Sequence, residues 1–405
     1  MGALSHLKVL DLSRVLAGPW ASQVMADLGA DVIKVERPGS GDDTRSWGPP
    51  WVSDPQWGEV PQSAYFVSAN RNKRSVAIDF TDPEGQRVVA ALARKCDVLI
   101  ENFKVGGLRA YGLDYETLSQ KHPGLVYCSI TGFGQSGPYA NRPGYDFLIQ
   151  GMGGLMSITG RPDSEEGAGP LKVGVALTDI LTGLYATVGI QAALSHREKT
   201  GEGQHVDVSL LDVQVACLAN QAMNFLASGV QPQRLGNAHP NIVPYQDFET
   251  QDGHIIITVG NDGQFRRLCE VLDMASWADD PRFATNTARL ASRDELIPLI
   301  KAQIKKLPSA YWLERLEAQS VPCGPINELA DVFADHHVLH RGMKIPLPSG
   351  AEGSVSMVGS PLKLSRTPVE YRTAPPALGA DTEKVLHEWL GSGEAGVTEL
   401  SRGHV

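Results

Sequence analysis

A chain of 405 residues is too long for one ordinary single-core domain and predicts two or three domains, or one domain interrupted by another. Its composition, 42% apolar and 20% charged, excludes a wholly disordered or fibrous chain. With 36 Lys and Arg against 46 Asp and Glu, the net charge of −10 disfavours general attraction to nucleic acid or an anionic membrane, so an anionic ligand would need a local basic site. Glycine and proline, 42 and 26 residues, have no collagen-like period and imply many turns and close backbone approaches.

Residues 7–12 read as a short strand, Gly18-Pro19 breaks the chain, and apolar residues recur at helical spacing over 20–28. Strands are expected at 30–36, 75–79, 97–101 and 125–130, with helices at 83–95 and near 115–121. Strands alternating with helices predict a parallel sheet in an α/β domain. The nearly continuous apolar run 173–194 has the length of a membrane span, but Gly174, Gly183, Gly189 and Asp179 interrupt it and the chain has no second such run. The expectation is a buried core helix over 179–197, followed by a strand at 205–208 and an apolar helix ending at Gly229.

From Val230 the character changes. A stretch rich in Pro, Gly, Asn and His precedes the Asp252-Gly253 turn, a strand at 254–259 and helical patterns at 264–273, 293–306 and 309–319. Residues 1–229 are therefore read as the first part of a large domain, 230–325 as a smaller inserted domain, and 326–405 as the return to the large one. The return is expected to carry a helix near 328–338, strands at 343–347 and 354–358, and a final helix over 382–390. The first residues have no basic segment followed by an apolar one, and Cys96, Cys128, Cys217, Cys269 and Cys323 are scattered without a Cys-x-x-Cys pair. Free thiols and a cytoplasmic location are the expectation.

The spacing Gly132-Phe133-Gly134-Gln135-Ser136-Gly137 follows a strand, but Pro138 and Pro143 replace the helix that a dinucleotide fingerprint opens, and no acidic residue lies near position 157 to hold a ribose. No phosphate loop of the Gly-x-x-x-x-Gly-Lys type, no Gly-x-Ser-x-Gly elbow and no His-Glu-x-x-His occurs. His336 and His340 stand one helical turn apart without a recognised carboxylate partner, and no metal site is expected there.

Asp179 is the most informative residue. An aspartate inside an apolar stretch costs on the order of several kcal/mol unless paired or hydrogen-bonded. Two readings remain open: a helix N-cap at Thr178-Asp179, or a carboxylate kept available as a nucleophile at a helix start. Anion-binding candidates are the glycine loop from Val35 to Arg45 and the basic cluster Asn70-Arg71-Asn72-Lys73-Arg74, each equally explained as a solvated loop.

Taken together, Leu10-Asp11-Leu12-Ser13-Arg14-Val15-Leu16-Ala17-Gly18-Pro19, Asp27-Leu28-Gly29-Ala30-Asp31-Val32-Ile33-Lys34-Val35-Glu36, Asn72-Lys73-Arg74-Ser75, Glu101-Asn102-Phe103, Gly132-Phe133-Gly134-Gln135 and Pro375-Pro376-x-Leu378-Gly379 resemble class III coenzyme A transferases. The resemblance spans the chain from Leu7 to about Leu390. It implies a Rossmann-like α/β domain formed by both chain ends, a small inserted α/β domain and an interlocked homodimer. It implies a coenzyme A thioester as substrate, with no permanently bound cofactor, no nucleic acid and no membrane.

The family's catalytic aspartate falls on Asp179. The implied coenzyme A contacts are the backbone of Val15, Leu16 and Ala17, then Arg37, Asn102 and Phe103. A family arginine is expected near position 110, where Ala110 stands, and its neighbour Arg109 is the expected substitute as a coenzyme A contact. The family's mobile glycine-rich loop has Gly236-Asn237-Ala238-His239-Pro240 in a comparable region. The implied mechanism runs through an aspartyl mixed anhydride and an aspartyl-CoA thioester.

The 35–50 stretch, Ala238 to Gln246 and Gly324-Pro325-Ile326-Asn327 look most like the subgroup that exchanges coenzyme A between succinyl-CoA and glutarate. Arg45 or His239 is the expected partner of a dicarboxylate's distal group, with a structural loop arginine as the other reading of Arg45. The alternatives are an α-methylacyl-CoA racemase of the same fold, where Tyr145 of Gly144-Tyr145-Asp146 stands in place of that enzyme's basic histidine, and a non-catalytic coenzyme A-binding dimer.

Overall fold

The larger of two units is built on runs of Val, Ile and Leu that are buried on both faces, which is how a parallel sheet between helical layers reads in sequence. The structure, a computed structural model, describes residues 2–347 and 355–391. In chain order the unit contains β1 (Lys8–Asp11), α1 (Ala17–Asp27), β2 (Asp31–Glu36), β3 (Lys73–Ala77), α2 (Pro83–Ala93), β4 (Val98–Glu101) and β5 (Val126–Thr131). Then come α3 (Asp146–Met152), α4 (Leu177–Thr200), β6 (His205–Ser209), α5 (Leu210–Ala216), α6 (Ala219–Ser228) and, at the far end, α7 (Thr382–Leu390).

The six strands are all parallel, in the order β3-β2-β1-β4-β5-β6. Successive residues alternate between two cores: Val9, Val32, Val98 and Val126 pack on the side of α1 and α4, while Leu10, Ile33, Leu99 and Tyr127 pack on the side of α2 and α7. Val385, Leu386 and Trp389 of α7 are buried in the second core, each worth about 2–3 kcal/mol, and fasten the C-terminal part of the chain to the sheet. Strand order reverses between β1 and β4. In such sheets the crevice beyond the carboxyl ends at the reversal is where ligands bind.

One face of α4 carries Thr182, Ala186, Ile190 and Ala193 into the core, and a Cβ on Gly183 would lie 2.6 Å from the Ala17 carbonyl, so glycine is what permits α1 and α4 to approach this closely. The expected core helix is thus buried on one face only: Tyr185 and Val188 are 48% and 66% exposed. By length and composition α4 is the one helix among the described residues that would reach across a membrane. The single helix expected before Gly229 is two, α5 and α6, separated near Ala219 with its φ of +46°.

The smaller unit comprises residues 156–171 and 231–336. It holds an antiparallel sheet of β7 (Tyr245–Glu249), β8 (His254–Thr258) and β9 (Cys323–Pro325), ordered β9-β8-β7, packed through Phe248, Ile255 and Ile257 against helices at Asp262–Val271, Arg293–Ile304 and Ser309–Ala318. The expected start near 230 agrees with the observed 231, but the insertion gains an earlier segment and ends later than expected. Residues 156–171 belong to it because the Gly236 N–H donates to the Gly160 carbonyl at 3.1 Å and Arg234 pairs with Asp163, contacts spanning more than seventy residues. The return begins at His337, not 326, after a helix at Leu329–Ala334. Lys344–Pro346 and Ser356–Val358 form the expected late strand pair; position 354 and the expected return beyond 391 lie outside the described residues.

Candidate active site

The loop leaving β1 and the loop leaving β4 meet at the strand-order reversal. Together they line a cleft of about 220 Å³ whose wall includes Val15, Leu16, Ala17, Asn102, Phe103 and Asp179. Five expected coenzyme A contacts and the expected nucleophile are therefore brought together. Arg37 lies in an adjoining cleft of about 200 Å³ that shares Arg14, Asp43, Phe103 and Lys104 with the first. Arg109 lines a third cleft, beside Lys104, and is exposed, with Glu116 3.8 Å away. Arg14 and Lys104, neighbours in sequence of the expected contacts, are cations missing from the sequence-derived set.

Ala176 is the N-cap of α4, so Asp179 is the third helical residue and not the cap. The capping function comes from elsewhere: Asp146 Oδ1 accepts the Thr178 N–H at 2.8 Å and the Asp179 N–H at 3.4 Å. Asp146 Oδ2 accepts from Gln150 Nε2 at 2.7 Å, and the Thr178 hydroxyl donates to Gln214 Oε1 at 2.6 Å. The Asp179 carboxylate is left half-buried, facing the cleft with no ion-pair partner among the described residues. Burial, and then the Asp146 charge, push its carboxyl up to about 7. Tyr65 is pushed up to about 12 by burial and by the charges of Asp179, Asp146 and Asp42, so it remains a neutral phenol beside the acid pair.

The expected N-cap is thus corrected, and Asp146, thirty-three residues upstream, is the functional residue that sequence pattern missed. Its only sequence signal was its position in Gly144-Tyr145-Asp146, where Tyr145 is 67% exposed.

Arg45 is spent on the fold. Its Nε and Nη2 donate to Glu36 at 2.7 Å each, Nη1 donates to Gln62 Oε1 at 2.7 Å, Nη2 also reaches the Pro376 carbonyl, and the guanidinium lies 3.7 Å over the Phe66 ring. With four of its five N–H groups engaged, Arg45 takes the structural reading and is withdrawn from substrate recognition. The basic cluster is neutralised in the same way: Arg71 pairs with Asp27, Lys73 with Asp11, and Arg74 with Asp31 and Glu388.

In the smaller unit, His239 Nδ1 accepts the Asn241 N–H at 3.0 Å, which assigns the ring proton to Nε2. Partial burial and the Arg293 charge lower its pKa and keep it neutral. Among the described residues no group of three or more His, Cys, Asp or Glu side chains is arranged to hold a metal, and all five cysteines are free thiols.

The model of CoA-transferase family III matches residues 4–382. The chain is 52% identical over 385 residues to succinate–glutarate CoA-transferase of Agrobacterium fabrum (strain C58), covering 95% of each protein. It is 43% identical over 397 residues to human succinyl-CoA:glutarate CoA-transferase, covering 98% of this chain and 88% of that one. A crystal structure of a CAIB/BAIF family protein from Brucella suis superposes with a TM-score of 0.84 at 49% identity, covering 96% of this chain and 99% of that one.

Proposed function

The chain belongs to CoA-transferase family III, and from that premise we propose that it moves coenzyme A from succinyl-CoA to glutarate through acyl intermediates on Asp179. The observation that carries the proposal is the Asp179 carboxylate itself, half-buried in the cleft, without an ion-pair partner among the described residues and raised to about 7.

A carboxylate of that basicity is a stronger nucleophile than an ordinary aspartate while still ionised in useful amount at neutral pH. An Asp179 oxygen attacks the thioester carbonyl of succinyl-CoA; the C–S bond breaks, giving a succinyl-aspartyl anhydride and coenzyme A thiolate. The thiolate attacks the aspartyl carbonyl, releasing succinate and leaving an aspartyl-CoA thioester. Glutarate attacks that thioester, expelling thiolate and forming a second anhydride. Thiolate attack on its glutaryl carbonyl yields glutaryl-CoA and restores the Asp179 carboxylate. Asp146 ties down the start of α4 and adds its negative charge to the burial that keeps Asp179 basic.

The α1 N-terminus has no acidic residue in its first turn and no side-chain cap, which suits it to an anion, and the Val15–Ala17 backbone leads into it. Arg37, Lys104 and Arg109 offer cations to the anionic nucleotide end, and Phe103 an apolar face. The exposed apolar side chains Phe147 (58%), Val188 (66%) and Leu226 (71%) on α3, α4 and α6 support an interlocked homodimer that covers them. The free cysteines support a cytoplasmic location.

The test is an acceptor panel with succinyl-CoA as donor: glutarate, malate, itaconate, oxalate and monocarboxylates. Glutarate is expected to give the highest kcat/KM. A preference for oxalate or a monocarboxylate would contradict the acceptor assignment.

A further inference from the structure

Val15, the first of the three backbone residues expected to meet coenzyme A, has a φ of +71°. A β-branched side chain is rarely held there, because its Cβ crowds the backbone in the left-handed region. A turn that only had to reverse the chain would be served by glycine, which enters that region freely. Valine in that conformation must be held by its surroundings, and residues held so cluster where a ligand is clamped.

The holding groups are identifiable. The Val15 N–H lies 3.2 Å from each carboxylate oxygen of Asp42. Asp42 is itself fixed: Lys34 Nζ is 2.8 Å from Oδ2 with both side chains fully buried, and the Thr44 N–H and hydroxyl donate to Oδ1 at 3.0 and 2.8 Å. Lys34 Nζ also donates to the Ser13 carbonyl at 2.8 Å. Between these anchors, the Arg14 N–H donates to Asn102 Oδ1 at 2.8 Å and Asn102 Nδ2 donates to the Arg14 carbonyl at 2.7 Å. Residues 13, 14 and 15 are thus each tied by backbone atoms to a side chain from β2, from the loop after β4, or from the loop after β2.

We propose that Asp42, paired with Lys34, is a positioning residue for coenzyme A binding: its carboxylate holds Val15 in the left-handed conformation, so that the 15–17 backbone is set for the thioester before it arrives, with Asn102 acting on the same loop and not on the ligand. The inference rests on the transferase reading for the identity of the ligand. Ordering the loop on folding spares that cost on binding, which is where a rigid clamp improves affinity.

The experiment is a double-mutant cycle on the full-length protein, read by calorimetric titration with free coenzyme A and by steady-state kinetics. Asp42→Asn in the valine background is expected to weaken coenzyme A binding about tenfold or more and to raise KM for the acyl-CoA, with little change in kcat or in KM for the acid acceptor. In the Val15→Gly background the same substitution is expected to cost no more than about threefold, since glycine does not need the clamp. Should Asp42→Asn alone not fold, Lys34→Met with Asp42→Asn removes both charges and is measured in the same two backgrounds. An equal cost in both backgrounds, or a fall in kcat with unchanged coenzyme A affinity, overturns the positioning role while leaving the transferase reading intact. Failure of the wild-type protein to bind coenzyme A overturns both.

Discussion

Asp179 and Asp42 are both withdrawn from water at neighbouring clefts of one sheet, and burial alone would raise both. Asp179 has no ion-pair partner among the described residues and has the Asp146 charge beside it, so it stays up at about 7. Asp42 has Lys34 2.8 Å away and the Thr44 donors around it, and is held down at about 2. Burial without a countercharge leaves a basic, reactive carboxylate; burial with one leaves a fixed anion that can only hold its neighbours. The difference separates the chemistry of the site from its scaffold, and each of the following variants removes one side of it.

The largest effect is expected from Asp179→Ala, which should lower kcat by about a thousandfold or more while leaving coenzyme A affinity near the wild-type value, measured by steady-state kinetics and calorimetry. Lys34→Met should strike the other region. It leaves Asp42 buried without its cation and is expected to cost about 3–5 kcal/mol in urea unfolding. In the wild type, Asp42's contribution to stability is complete above its ordinary value of 3.8 and is lost as the pH falls through about 2. The variant should lose that acid dependence.

What the sequence made legible follows from the range of the interactions involved. The alternation of strands and helices is local, and the apolar runs of β1, β2, β4 and β5 announced themselves within a few residues of their observed bounds. Asp179 was visible because an aspartate stands out in an apolar run. Asp146 was not, since its role lies in a hydrogen bond to a helix start more than thirty residues on. Arg45 looked like a free cation because its partner Glu36 sits nine residues back on the end of a strand that reads as apolar, and Arg71, Lys73 and Arg74 looked basic because Asp27, Asp11 and Asp31 neutralise them only in the folded chain. Residues 156–171 were assigned to the wrong unit for the same reason: nothing in the segment itself shows that it pairs with residues beyond 230.

A gentler variant tunes the reactive aspartate without deleting it. Asp146→Asn keeps an oxygen to accept the Thr178 N–H but removes the charge, so the Asp179 carboxyl should fall and the acid limb of the kcat/KM profile should move about one pH unit lower. An unmoved limb would show that Asp146 acts through packing alone.

The smallest effect is on stability. Because the Asp179 carboxyl is raised, the unfolded chain releases its proton near 3.8 while the folded chain keeps it to about 7, so wild-type stability falls as pH rises across that window. Asp179→Asn removes that loss. With the group only half-buried, the variant should be more stable by about 1 kcal/mol at pH 8, and no more stable at pH 4, by scanning calorimetry.

The most direct test of Asp179 as the nucleophile is to trap its acyl intermediate. The protein is incubated with succinyl-CoA, treated with borohydride or hydroxylamine, digested and analysed by mass spectrometry, with Asp179→Asn as the control. A modification confined to Asp179 in the wild type and absent from the control is the predicted result. An unmodified Asp179 in protein that turns over succinyl-CoA, or the adduct on another residue, would contradict the account.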